Sequence, residues 1–218
     1  VASAERASDD GQGRSVIELN ADLPAELVPL SWLIGLWEGT GVVHYAVGDE
    51  VREHEFGQRL SFTHDGLPYL NYTSYTWSLN PSAGHEAGST HVVETGYWRL
   101  SRPSHEGDAG PAMLPGVGAK PYADAESVEA LRNNDGGFDI EVSLVHPLGV
   151  SELYVGQITG PRIDLATDAV LRTASAKEYS AATRMYGLVE GRLLWAWDIA
   201  ALGQDLRTHS SGSLSRVE

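Results

Sequence analysis

From Trp37 onward the chain runs in short stretches of alternating apolar and polar residues, broken by Gly, Pro, Asn or Asp. That period of two is the mark of half-buried β-strands. The clearest stretch is 138–146, with Phe138, Ile140, Val142 and Leu144 on one face and Asp139, Glu141 and Ser143 on the other. In 163–171, Ile163, Leu165, Ala169 and Leu171 stand opposite Arg162, Asp164, Asp168 and Arg172. In 192–201, Leu193, Trp195, Trp197 and Ile199 share a face. Further strands are expected at 37–46, 52–63, 68–79, 91–100, 150–158, 175–188 and 206–217, about ten in meander order. Turns are expected at His64-Asp65-Gly66, Pro147-Leu148-Gly149, Glu190-Gly191 and Gly203-Gln204. No stretch keeps a helical period for more than three turns. Many long strands without helices to cover a sheet favour an all-β, up-and-down antiparallel barrel, because closure removes exposed edges.

Three segments break the alternation. Residues 1–22 are polar and aperiodic and read as a disordered leader. Residues 23–36, LPAELVPLSWLIGL, are apolar with Pro24 near their start, and are expected to form a short helical plug at one barrel end. Residues 101–137 are rich in Pro, Gly and Ala, and read as a loop insertion at one rim with a short helix at 127–133. The expected organisation is a single barrel domain over 23–218 carrying that insertion.

Composition narrows the chemistry. The 218 residues contain no Cys, which excludes disulfides, thiolate metal sites, iron–sulfur clusters and thiol catalysis. Lys+Arg number 15 against 30 Asp+Glu, a formal charge of −15. Such a balance argues against nucleic acid and against an anionic membrane surface. No apolar run nears the roughly 20 residues that span a bilayer. Cytoplasm is the default expectation.

The strongest motif is Gly35-Leu36-Trp37-Glu38-Gly39-Thr40-Gly41. It places Trp37, Gly39, Gly41, Val43 and Tyr45 on one face, with glycines where the strand coils sharply or leaves space beside a ring. Lipocalin-like and fatty-acid-binding-protein-like barrels commonly open with such a Gly-x-Trp. The motif alone indicates a barrel and says little about its ligand.

Further blocks follow: Glu94-Thr95-Gly96-Tyr97-Trp98-Arg99, Val145 to Glu152, Ala176-Lys177-Glu178-Tyr179, and Gly203 to His209 leading into Leu214-Ser215-Arg216. In this order the five blocks resemble the nitrobindin family over roughly 35–217. The resemblance implies a ten-stranded barrel that holds one heme b per chain at its open end. It also implies isomerisation of peroxynitrite to nitrate at ferric iron, with nitric oxide as a second ligand and a homodimer left open.

The family's axial ligand corresponds to His209, making it the catalytic and iron-binding residue. In a chain with no Cys and only two Met, His is the natural iron ligand. Ser211, Ser213 and Ser215 alternate with it and would leave room for a porphyrin edge. Periodicity alone favours the opposite, since Leu206 and Leu214 fall on the other face and would turn His209 to solvent. Lys177 corresponds to a heme contact at the rim. Ile199, Tyr179, His91 and Val92 correspond to positions around the open side. Two departures stand out. Tyr45-Ala46-Val47-Gly48 replaces a family Tyr-Pro-Thr-Ile, and Val92 stands where the family has His, with His91 one place early. A one-residue shift in a strand turns a side chain to the opposite face.

The other candidates are weaker. His146, before Pro147, is expected to bond within a turn. His44, His54 and His64 have no spacing that suggests a metal site, and His85 and His105 fall in loops. Glu94 and Glu152 read as buried partners of Arg99 or Arg184. Two further readings stay open: a non-enzymatic carrier of a fatty acid or other apolar small molecule, and an interaction module working through the 101–137 insertion.

Overall fold

Ten antiparallel strands close on themselves in the computed structural model, which describes residues 23–47, 50–79, 87–201 and 203–217, without the side chains of 46, 47, 50 and 91. The leader expected at 1–22 lies outside the described residues. The strands are β1 (Gly35–Val47), β2 (Glu50–Thr63), β3 (Leu70–Ser78), β4 (Thr90–Leu100) and β5 (Phe138–His146). They continue as β6 (Val150–Thr159), β7 (Arg162–Arg172), β8 (Tyr179–Val189), β9 (Arg192–Ala201) and β10 (Arg207–Val217). Each strand pairs with its neighbours in sequence, and β10 returns to pair with β1, from Leu36↔Val217 to Val43↔Ser210. Closure leaves the ladder without an outer edge strand. All four expected turns occur; Gly66, Gly149, Gly191 and Gly203 supply the positive φ that they need.

One end is plugged by a 3-10 helix, Ala25–Leu33. Leu27, Leu30 and Leu33 recur every three residues and are fully buried, which puts them on one face of a helix with three residues per turn. The opening motif of β1 holds this plug. Trp37 Nε1 donates to the Leu33 carbonyl at 2.7 Å. The Arg216 guanidinium lies 4.5 Å from the Trp37 ring centroid and donates to the Trp32 and Ile34 carbonyls. Gly41 is needed for close approach, since a Cβ there would sit 2.4 Å from Phe56 and from the Ser211 carbonyl oxygen.

The 101–137 insertion packs at the same plugged end. Arg102 is its anchor: it pairs with Glu26 of the plug at 2.6 Å and with Asp108 at 2.7 Å, and covers the Tyr122 ring. Its helix, α1 (Ala125–Glu129), starts two residues earlier than expected because Asp124 caps it through the Ser127 backbone N–H.

Two β-bulges overturn faces expected from strict alternation. In β7, Leu153 pairs with Ala169 while Tyr154 pairs with Thr167, leaving Asp168 as an extra residue. Leu171 is therefore turned outward and is 65% exposed, instead of continuing the buried row of Ile163 and Leu165. In β10, Thr208 pairs with Asp198 and Ser210 with Trp197, so His209 is the extra residue.

Candidate functional site

The end opposite the plug gathers the strand termini that the family resemblance marks: the start of β10, the end of β9, and the starts of β4 and β8. The bulge decides what β10 contributes there. Leu214 and Ser210 are buried, and Gly212 lies against the Trp195 indole, so these three face inward. Ser211, Ser213 and Ser215 are thus on the opposite face, where Arg192 bonds Ser213 and Ser215. The expected room beside His209 does not come from those serines. Without the extra residue, His209 would share their outward face. With it, His209 sits half-buried in the wall, its ring perpendicular to the inward ring of Trp197 at 5.8 Å.

His209 borders two hollows of about 80 Å³ each. The inner one is shared with Val43, Phe56, Thr76, Val92, Glu94 and Trp197. The one at the rim is shared with His44, Tyr45, Ile199, Ala201 and Arg207. Val92 and Ile199 thus both reach His209, but from different hollows. Burial holds the His209 imidazole below its ordinary pKa, opposed by the nearby His44 main chain. Burial thus favours the uncharged ring, the form in which an imidazole nitrogen can serve as a metal ligand.

Beneath Trp197 lies a buried ionic cluster. Arg184 Nη1 and Nη2 donate to the two oxygens of Glu94 at 2.7 and 2.8 Å, and Nε donates to Tyr154 Oη at 3.0 Å. Its guanidinium also covers the Trp197 ring, 4.1 Å from the centroid. Tyr72 donates to Glu94 at 2.6 Å, while Tyr154 and Tyr179 donate to Glu152. Burial alone would raise the Glu94 carboxyl, but the Arg184 charge and hydrogen bonds outweigh it and hold the group at about 2. Of the two expected partners, Arg184 therefore takes the carboxylates, and Arg99 pairs with Glu141 instead.

His146 corrects the turn expected of it: its Nε2 lies 2.6 Å from Glu152, and its ring stacks on Trp197 at 6.2 Å. It continues the inward face of Phe138, Ile140, Val142 and Leu144 in β5 and so meets the carboxylates. Tyr179 likewise commits its hydroxyl to Glu152. Lys177 is exposed in the β7–β8 connection and borders neither hollow. The backbone of His91 is in β4, while its side chain lies outside the described residues, as do Val47 and Gly48 of the altered block after Tyr45. Gly35, Trp37, Gly39 and Gly41 serve the barrel wall and the plug, with Gly39 against the Ser213 carbonyl. Trp197, Arg184 and His44 escaped the sequence reading as site residues. A cation at an inward position of β8 was the available signal.

The donor chemistry suits a heme: an imidazole nitrogen, apolar Val43, Val92 and Ile199 in the hollows beside it, and Arg207 at the rim. Each hollow is far below the roughly 300–1,000 Å³ of a cofactor pocket, so neither by itself would enclose a heme. The deep interior is filled by Trp98, Tyr72, Phe62 and Tyr186, with ring centroids 5.2–5.8 Å apart. That filling leaves no support for a fatty-acid carrier. Among the described residues no group of three or more His, Asp or Glu could hold a bare metal ion, and no helix is long and apolar enough to cross a membrane.

Comparison with known proteins agrees with this geometry. Residues 26–216 match the model of the THAP4-like, heme-binding β-barrel domain. A peroxynitrite isomerase of Leifsonia xyli is 66% identical over 203 residues, covering 93% of this chain and 100% of its own. One from Clavibacter michiganensis matches at the same identity and coverage, and one from Paenarthrobacter aurescens is 53% identical, covering 92% of this chain and 98% of its own. Among solved structures, Rv2717c from M. tuberculosis aligns with a TM-score of 0.64 and 28% identity, covering 90% of this chain and 99% of its own.

Proposed function

The chain belongs to the THAP4-like heme-binding β-barrel family, the nitrobindins, and on that footing we propose that it isomerises peroxynitrite to nitrate at a heme held by His209. The observation that carries the assignment of the ligand is the β10 bulge, which brings one half-buried imidazole to the cavity wall beside Trp197. We further propose one heme b per chain, with nitric oxide as a second ligand of the same iron.

When bound, ferric heme supplies the coordination site at which the O–O bond of peroxynitrite breaks and the fragments recombine as nitrate. The chain supplies the remainder. His209 would give one ring nitrogen to the iron, and its edge-on contact with Trp197 limits ring rotation. Val92 and Ile199 supply apolar surface in the two hollows that His209 borders. Lys177, exposed beside the mouth, is the rim cation for a propionate. Tyr179 acts from beneath, through Glu152 and His146, rather than by touching the plate. For His91 the assignment to the open side rests on its place in β4 alone.

The test is stopped-flow decay of peroxynitrite with hemin-loaded protein, together with the nitrate yield. Loaded wild-type protein accelerates the decay in proportion to its concentration and raises the nitrate fraction. Apoprotein does neither. Equal decay rates with loaded and unloaded protein would refute the activity.

A further inference from the structure

His209 occupies a poorly anchored place for a metal ligand. As the extra residue of a bulge it is left out of the pairing between β10 and β9. Its ring packs edge-on against Trp197, with centroids 5.8 Å apart. Trp197 is itself held unusually. Its Nε1 is buried without a hydrogen-bond partner among the described residues, so the indole is fixed through its faces rather than through its N–H. Arg184 lies 4.1 Å above it, and His146 stacks nearly parallel to it at an interplanar angle of 15°.

The two side chains that pack on the indole are fixed in turn. Arg184 spends two nitrogens on Glu94 and one on Tyr154, and Glu152 holds His146 at 2.6 Å. Stability alone does not account for this cluster, because burying ion pairs costs desolvation that well-packed apolar residues avoid. What it provides is a wall with one geometry, directly against the His209 ring. A ligand must be kept within a few tenths of an ångström by neighbours that are themselves locked.

We propose that Trp197, packed against Arg184 and His146, is the positioning residue that fixes the orientation of the His209 imidazole. It acts through His209 and need not touch heme or substrate. The proposal rests on the reading of His209 as the iron ligand, but it predicts a property of the apoprotein as well.

The experiment uses the full chain labelled with ¹⁵N-histidine, without heme, and reads the His209 ring nitrogens by NMR. The wild-type ring shows one tautomer. In Trp197→Leu the ring nitrogens average between tautomers, and hemin affinity falls about tenfold. Trp197→Phe, which keeps a smaller ring, shows partial averaging and an affinity within about threefold of wild type. If the Leu variant does not fold, the Phe variant decides: partial averaging supports the proposal and an unaltered spectrum overturns it. Wild-type spectra and affinity in both variants also overturn it. A hemin titration of His209→Ala separates the two levels. Unchanged hemin binding there would remove the ligand reading, while the histidine spectra of the apoprotein still judge the role of Trp197.

Discussion

Arg184 and Glu94 face each other inside the barrel as a two-pronged ion pair, at 2.7 and 2.8 Å, joined from strands 90 residues apart in sequence. Removing one member leaves the other charged and buried, which typically costs about 3–5 kcal/mol. Arg184→Met is therefore expected to lower the unfolding free energy by that amount, measured by urea denaturation. A loss below about 1 kcal/mol would mean that the pair is solvated in the protein.

The same pair sets an acid limit. The Glu94 carboxyl lies at about 2 in the folded protein, below its ordinary 4.5. The unfolded chain thus takes up the proton first. The stabilisation is complete above the ordinary value and is lost as pH falls toward about 2, with a slope of up to about 1.4 kcal/mol per pH unit. Glu94→Gln is expected to start less stable at neutral pH and to show a shallower acid slope between pH 4.5 and 2. Parallel curves for the two proteins would contradict this.

Gly41 leaves no room for a side chain, since a Cβ would approach Phe56 and the Ser211 carbonyl to 2.4 Å. Overpacking of this kind costs about 1–3 kcal/mol. Gly41→Ala is expected to lower the thermal midpoint accordingly, whereas Gly66→Ala, where a Cβ meets nothing, pays only for its positive φ. Equal losses at both glycines would show that space at the β1–β10 seam is not limiting.

Arg102 ties the insertion to the plug through Glu26 and Asp108. Arg102→Ala is expected to speed proteolysis within 101–137 severalfold and to leave the hemin spectrum unchanged, because the insertion packs at the end away from His209. A shifted Soret band in this variant would show that the two ends are coupled.

How much of this was legible beforehand varies by feature. The strand count, the barrel and the turns follow from alternation and from glycines at positive φ, both local signals. The plug was visible as an apolar run, although its three-residue spacing of Leu27, Leu30 and Leu33 is what identifies the 3-10 form. Bulges are different. An extra residue leaves no mark on the period, so the reading carried Leu171 onto the wrong face and left His209 balanced between solvent and cavity. The pairing of Arg102 with Glu26 spans 76 residues and has no local signature. The part of His146 was hidden by its proline neighbour, which suggested a turn, although the alternation of β5 continues through it and turns its ring inward onto Trp197.

The central claim is that an imbalance of one residue in β10 turns a single imidazole toward the mouth, where it can bind iron. Titrating hemin into the apoprotein and into His209→Ala, and recording the Soret region, tests it most directly. A sharp, saturable band at one equivalent in the wild type, lost or strongly shifted in the variant, is the predicted result. Identical spectra and titration curves for the two proteins would contradict it.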